Sequence, residues 1–478
     1  MNDAFKGSQP GERPDYQRPQ EREGRRYHGG YRHHHYDRRG GGRRFSHWQP
    51  RNKFAEHQPV ADALNVEMFE ELSPGELAQW AGKKGYKVEK EDRQGIIKDI
   101  LKAHAAKLGL KEAEGVVEYT RAGHAFLRLP AFAYQPQRDD PFIPPEVVKQ
   151  HGLMNGDQIC GMVRVPPYRE RFSTVAHVDL LWDAPPSRWK GRVPFDSMVP
   201  VHPDKRFILE SGPGFIDMRA LDLLAPLGRG QRCLLVAPPR AGKTVMLQHI
   251  AESVAKNDPD VNILVMLIDE RPEEAENMRR TIRGEVVCST FDEDIERHVR
   301  MSELVIEKAH RMLEVGKHVL VLVDSLTRMS RAYNNLSSSK GKLMSGGMES
   351  GAMTKPRKFF SSARNIENGG SLTIVATVLV ETGSRMDDLI FEEFKGTGNM
   401  EVYLNRDLQE RRLFPAIHIE KTGTRREDML YHPAEYQRIC ALRKQLTEYP
   451  PLEAMEKLIE QLRLTKSNAE LLMRLKVD

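Results

Sequence analysis

The sequence predicts an α/β protein: a large C-terminal domain on a parallel sheet, preceded by a small β-barrel and a small helical module. Three observations carry that prediction. From about residue 206 onward, unbroken apolar runs alternate with helical segments, as expected where helices cover both faces of a sheet. Across residues 113–185 the pattern changes to short β-prone pieces separated by Gly and Pro. Finally, the apolar Cys233-Leu234-Leu235-Val236 runs into Ala237-Pro238-Pro239-Arg240-Ala241-Gly242-Lys243-Thr244, a strand followed by a glycine-containing turn that ends in Lys-Thr. Such a turn aims backbone N–H groups and a helix N-terminus at phosphate oxygens.

Taken in order, residues 1–60 have the composition of a disordered extension, rich in Arg, Gly, His, Gln and Pro and poor in aliphatic residues. They hold eleven Arg and two Lys against seven acidic residues, so the chain's formal charge of +5 is concentrated there. Tyr27, Tyr31, Tyr36, Phe45 and Trp48 are interleaved with arginines. That combination can hold nucleic acid by phosphate attraction and base stacking, or serve only as a solubilising tail. Three consecutive histidines, His33 to His35, are too few to define a metal site.

Residues 61–112 predict a helical module. Ser73-Pro74-Gly75-Glu76 places Ser at the N-cap, Pro at the first helical position and Glu at the third. Leu77 and Trp80 then share a face, and Ile96, Ile97, Ile100 and Leu101 mark a second amphipathic helix. In residues 113–185, strands are expected at 115–119, 125–128, 158–164 and 173–181. A barrel exposing Phe126, Arg128 and Phe142 would suit single-stranded nucleic acid; alternatively both Phe side chains are core. Residues 186–205 form a proline-containing linker. In the large domain, residues 206–478, strands are expected near 232–236, 262–268, 319–323 and 372–380, with helices over 243–256, 272–281, 294–315 and 357–367.

A chain of 478 residues accommodates two or three domains. Cys160, Cys233, Cys288 and Cys440 are scattered without metal-ligand spacing and fit reduced thiols. No apolar run reaches the roughly 20 residues that cross a bilayer, and the first residues lack a signal-peptide core. A cytoplasmic, non-membrane protein is the expectation.

The chemistry concentrates in the large domain. Lys243 can reach terminal phosphates and Thr244 can hold Mg²⁺. The run Val319-Leu320-Val321-Leu322-Val323 ends in Asp324, an acid at the carboxyl edge of the sheet, where the metal would lie. Glu270, in Leu267-Ile268-Asp269-Glu270-Arg271-Pro272, is the candidate carboxylate for orienting or deprotonating water, with Asp269 its competitor. Phe414 offers a ring for a nucleotide base. Either Arg425 or Arg426, in a glycine-containing turn, could reach a neighbouring γ-phosphate. Two loops with basic residues, 337–347 with Lys342 and 382–386 with Arg385, could grip a phosphate backbone or be ordinary surface.

From about residue 62 to the end, the sequence resembles the bacterial Rho family of transcription termination factors. The resemblance is carried by Pro239 to Thr244, Leu267 to Glu274, Asp324-Ser325-Leu326-Thr327-Arg328, Glu392 to Glu401 and Phe414-Pro415-Ala416-Ile417. It implies a RecA-like ATPase domain, an OB/cold-shock-like barrel and an N-terminal helical module, assembled as a homohexamer that moves 5′ to 3′ on nascent, cytosine-rich, single-stranded RNA and releases it from RNA polymerase. RNA polymerase and Nus-type elongation factors are the protein partners it implies, ATP and Mg²⁺ the cofactors.

By the same resemblance, Pro239, Arg240, Ala241, Gly242, Lys243, Thr244 and Val245 cradle the nucleotide, and Arg240 assists with the phosphates. Thr244 and Asp324 support the metal, and Glu270 activates water. Arg271 links the pocket to a subunit interface, Phe414 stacks on adenine and Arg425 is supplied in trans. His124, Phe126, Arg128 and Phe142 belong to the primary RNA site, and Lys342 and Arg385 to the secondary one. Two departures stand out. The family's Gly-Phe-Gly-Phe-like run is Gly123-His124-Ala125-Phe126 here, so a histidine replaces one stacking ring and a weaker or pH-dependent pyrimidine preference is expected. Arg240 and Arg385 stand where lysine is common, keeping charge but changing donor geometry. A rotary ATPase subunit, a DNA-directed motor and a non-enzymatic RNA-binding scaffold are the competing readings.

Overall fold

A computed structural model describes residues 58–165, 172–337, 347–349 and 351–475. The aromatic and histidine residues singled out in the arginine-rich extension lie outside the described residues, as does Lys342.

The helical module consists of a 3₁₀ turn at Val66–Phe69, then α1 (Pro74–Lys83) and α2 (Arg93–Lys107). α1 starts where the capping box requires. Glu76 N–H donates to Ser73 Oγ at 3.4 Å, and the Glu76 carboxylate accepts Ser73 N–H at 2.8 Å. The isoleucine stripe of α2 packs with Phe69, Leu77 and Ala81, and Cys160 and Leu180 from the barrel wall complete that core.

The barrel is closed, in the order β1-β2-β3-β5-β4. Its strands are β1 (Lys111–Tyr119), β2 (Ala125–Arg128), β3 (Phe142–Ile143), β4 (Gln158–Arg164) and β5 (Thr174–Leu181), with α3 (Pro145–His151) between β3 and β4. β3 spans two residues, too few to show alternation in the sequence. The expected linker carries 3₁₀ turns at Pro186–Trp189 and Phe195–Ser197, and then β6 (Pro200–Val201), which joins the large sheet.

The C-terminal domain begins with α4 (Ile216–Leu224), β7 (Arg232–Ala237), α5 (Lys243–Asn257), β8 (Asn262–Glu270), α6 (Pro272–Thr281), β9 (Glu285–Thr290) and α7 (Ile295–Glu314). It continues through β10 (His318–Asp324), α8 (Leu326–Ser337), α9 (Thr354–Ser361), β11 (Arg364–Ile366), β12 (Ser371–Leu379), α10 (Arg385–Lys395), β13 (Met400–Tyr403) and α11 (Arg406–Glu410). β14 (Gly423–Thr424), α12 (Pro433–Thr447), α13 (Pro451–Arg463) and α14 (Asn468–Arg474) end it. The main sheet runs β14-β13-β7-β12-β10-β8-β9, parallel from β13 to β9.

Alternate residues of each central strand feed opposite cores: Leu234 and Val236 one, Cys233 and Leu235 the other. Burial on both faces is why these strands read as unbroken apolar runs. Two expectations need correction. The helix expected over 357–367 ends at Ser361, because the chain turns back through Glu367 and Asn368, the latter at φ +54°, and Arg364–Ile366 pairs antiparallel with β12. Arg385 is the first residue of α10, not the middle of a loop.

Candidate functional site

The phosphate loop leaves the carboxyl end of β7, and α5 begins at Lys243. Gly242 sits at φ +92°, a left-handed conformation open to glycine without steric penalty. Pro239 and Arg240 form the exposed tip, Ala241 is buried in the core beneath, and Val245 is exposed on the first turn of α5.

The loop faces the ends of two neighbouring strands. Lys243 Nζ donates to Asp324 Oδ1 at 2.8 Å and Oδ2 at 2.6 Å. Thr244 Oγ1 lies 3.4 Å from Asp324 Oδ2, and Thr377 on β12, the strand between β7 and β10, donates to Asp324 Oδ1 at 2.8 Å. Asp324 is 1% exposed.

Glu270 and Asp269 part company at a register shift between β8 and β9. Asp269 takes φ +55° and stays solvent-accessible, whereas Glu270 is 4% exposed with Oε2 3.8 Å from Lys243 Nζ. Glu270 Oε2 is buried and has no hydrogen-bond partner. Burial raises its pKa above the ordinary glutamate value; Lys243 opposes the shift and Asp324 adds to it. Arg271, the N-cap of α6, is exposed and donates its backbone N–H to Glu270 Oε1 at 3.3 Å.

One participant carried no assigned role in the sequence. Arg328, on the first turn of α8, lies 3.4 Å from Asp269 and 3.7 Å from Glu270. Its position four residues after Asp324, on a helix leaving the strand end, was the signal that could have found it.

Phe414 is half-exposed beside the loop: a Cβ on Gly242 would sit 4.0 Å from its ring. Arg425 is elsewhere. Its backbone N–H bonds Asn399 O at 2.9 Å, and its charge, after burial and Arg364, depresses the pKa of Arg232 at the start of β7. The phosphate loop leaves the other end of β7, about 17 Å along the strand. Both arginines of the turn are exposed, but Arg426 is paired with Asp428 at 3.2 Å.

On the barrel, Phe126 is half-buried at the centre of a ring cluster, 5.8 Å from Phe142 and 6.1 Å from Phe172; His124 lies 6.2 Å from Phe142. The expectation that the barrel exposes Phe142 and Arg128 is corrected here. Phe142 is 3% exposed, so it supports the cluster from below. Arg128 is 6% exposed: its guanidinium is taken by Glu118 and Asp140, each at 2.6 Å, and stacks 5.0 Å from the Phe126 ring centroid. Asp140 keeps one buried oxygen without a partner.

Arg385 is exposed at the start of α10. The turn before it is held by buried Asp387, which accepts Thr382 Oγ1 at 2.7 Å and the fork of Arg331 at 2.9 and 2.6 Å. Gly347 adjoins the same turn: Asn334 bonds its carbonyl, and a Cβ there would lie 3.8 Å from Met386. Among the described residues, no group of His, Cys, Asp and Glu forms a metal cluster, and no helix is long and apolar enough to cross a membrane.

Comparison with known proteins bears on both regions. Residues 113–186 match the family model for the Rho termination factor RNA-binding domain, and residues 217–423 that for the nucleotide-binding domain of the ATP synthase alpha/beta family. Transcription termination factor Rho of Aquifex aeolicus is 50% identical over 384 residues, 80% of this chain and 88% of the relative. The Pseudomonas fluorescens factor of the same name is 45% identical over 86% of this chain and its own full length. Among solved structures, an ATPase from the type III secretion system of pathogenic bacteria shares the fold at TM-score 0.51 and 21% identity, covering 65% of this chain and 92% of that one.

Proposed function

The chain belongs to the transcription termination factor Rho family, and from that premise we propose how its residues work as an RNA-dependent ATPase that terminates transcription by pulling on nascent RNA. The observation that carries this reading is the convergence of Lys243, Thr244, Asp324 and Glu270 at one sheet edge, in a chain whose barrel matches an RNA-binding domain.

ATP is the proposed nucleotide. The hard oxygen donors of Thr244 and Asp324 fit Mg²⁺, which when bound neutralises phosphate charge. Lys243 then moves from Asp324 toward the phosphates, Arg240 adds charge at the loop tip and Phe414 stacks on the base. Glu270, dry and without a hydrogen-bond partner at Oε2, orients the attacking water and accepts its proton. Arg328 holds the other side of Glu270.

Arg425 lies at the opposite end of β7 from its own loop, which supports its acting on a neighbouring subunit in the proposed homohexamer. Arg271, exposed beside Glu270, is the proposed link to that interface. Cytosine-rich single-stranded RNA would stack on Phe126 and His124, and its 3′ part would meet Arg385 and Lys342. RNA polymerase and Nus-type elongation factors remain the proposed partners in release. The likeness to ATP synthase resides in the nucleotide-binding fold, and the RNA-binding barrel separates this chain from a rotary subunit.

The test is the ATP hydrolysis rate with and without poly(C) RNA, beside poly(dC). RNA should stimulate turnover and Lys243→Ala abolish it. A rate indifferent to both RNA and the substitution would refute the reading.

A further inference from the structure

We infer that Glu118 and Arg300 form a joint that couples occupancy of the barrel's RNA face to the ATPase domain; this rests on the RNA-dependent ATPase reading above. Glu118, on β1, holds a guanidinium on each side. Its Oε2 accepts Arg128 Nε at 2.6 Å, while Arg300 of α7 approaches Oε1 at 2.6 Å and donates to Oε2 at 2.7 Å. Arg128 bonds Asp140 as well, so two cations and two carboxylates balance in one cluster. One end of that cluster is part of the aromatic face, because Arg128 stacks on Phe126. The other end belongs to the ATPase domain.

The barrel grips α7 along its length. Arg300 also donates to Tyr134 O at 2.9 Å, and Lys308, two turns on, donates to Tyr134 Oη at 2.9 Å. Gly156, at φ +89°, lies so close to α7 that a Cβ would come within 2.5 Å of the Glu307 backbone. The opposite side of the same helical turn faces the catalytic strands: His298 Nδ1 is 2.7 Å from Ser289 Oγ on β9, and the next residue, Thr290, pairs with Glu270. Residues two apart on a helix point about 200° apart, so one rigid turn touches the barrel with Arg300 and the strand beside Glu270 with His298.

A base that stacks on Phe126 shifts the ring against which Arg128 packs, weakens the Arg128 bond to Glu118 and leaves that carboxylate more to Arg300. The balance of the cluster, and with it the seat of α7, then depends on RNA. Coupling of this kind is reciprocal, so nucleotide at the phosphate loop must alter RNA affinity at the barrel by the same factor.

The test uses the full-length protein and fluorescein-labelled oligo(C) of about 4–6 nucleotides, near the lower end of one barrel's footprint. Its affinity is measured by anisotropy with and without a non-hydrolysable ATP analogue. In the unmodified protein the two affinities should differ by about 5-fold or more. In Glu118→Gln and Arg300→Gln the ratio should fall to about 1, with basal RNA-free hydrolysis unchanged and nucleotide-free affinity close to that of the unmodified protein, since Phe126 is left in place. Arg300→Lys keeps the charge without the fork and should lose most of the coupling, which secures the result if a neutral variant folds poorly. Retention of the unmodified ratio in these variants, or a ratio of 1 in the unmodified protein, overturns the joint. Absence of RNA-stimulated hydrolysis in the unmodified protein would instead overturn the functional reading beneath it.

Discussion

Lys243, half-buried, and Asp324, fully buried, form a two-point ion pair across β12, with both carboxylate oxygens engaged at 2.6 and 2.8 Å. The lysine proposed to reach phosphate is thus stored on the acid proposed to support the metal.

Lys243→Ala should therefore do two separable things. It should reduce ATP turnover by at least about 100-fold, as loss of a preorganised charge at a reacting phosphate does. It should also destabilise the domain by on the order of 2 kcal/mol, because Asp324 is left buried without its cation. Adding Asp324→Asn should restore much of the stability and none of the turnover. Thermal unfolding of the single and double variants checks this; a single variant as stable as the unmodified chain would refute the stability claim.

With Glu270 as the proposed base, its ionisation should set the acidic limit of catalysis. Its folded pKa is raised above 4.5, chiefly by burial, and the ionised form is needed to take a proton. Turnover should therefore fall as pH drops through that raised value, at a pH where an ordinary glutamate is still charged. Glu270→Gln should lower turnover about 10²- to 10⁴-fold and abolish the acidic limb. A pH profile of kcat with the same limb in both proteins would assign it to another group.

Asp179 predicts an unusual stability profile. It is fully buried on β5, neither carboxylate oxygen has a hydrogen-bond partner, and burial, with Glu112 adding to it, pushes its pKa up to about 7. Because that value exceeds the unfolded one, its contribution is fully present below about pH 4 and is lost as pH rises through 7. Asp179→Asn should raise the melting temperature at pH 8 and change it little at pH 4. His177 Nε2, 3.8 Å away, offsets the ionised form only where the imidazole is protonated. Equal melting shifts at both pH values would rule the effect out.

The parts of this protein that were legible in the sequence share a physical reason. Parallel strands buried on both faces must be continuous apolar runs, so β7, β8, β10 and β12 announce themselves. The acids at their ends mark the site, and Ser73 with Glu76 marks a helix start. Two-residue strands such as β3 and β14 have no period to detect. The fate of Arg128 was equally hidden: an arginine two residues from a phenylalanine looks alike whether it faces solvent or is clamped by Glu118 and by Asp140 beyond a turn. Glu270 and Asp269 could not be separated either, because a register shift, not composition, decides which one turns inward.

On the barrel, Phe126 and not Phe142 should carry the stacking energy, since Phe142 is almost wholly buried. Phe126→Ala should weaken oligo(C) binding by about 1–3 kcal/mol, roughly 5- to 150-fold, and leave the melting temperature near that of the unmodified chain. Phe142→Ala should chiefly destabilise the barrel, by about 3 kcal/mol. Paired anisotropy and melting curves separate the two, and the reverse order of effects would place RNA on a different face.

Arg425 gives the sharpest test of assembly. It sits at the amino end of β7 and its own phosphate loop at the carboxyl end, so no side-chain rotation brings the two together. If it stabilises charge developing on a neighbour's γ-phosphate, Arg425→Ala should lower turnover about 10³-fold or more while nucleotide affinity changes little. The neighbouring Arg426, paired with Asp428, should tolerate alanine with near-normal turnover. Mixing Arg425→Ala with Lys243→Ala subunits should then restore part of the activity, because some interfaces would join an intact loop to an intact arginine. A mixture as inactive as its two components, in assemblies shown to contain both subunits, would mean that Arg425 does not work across a boundary.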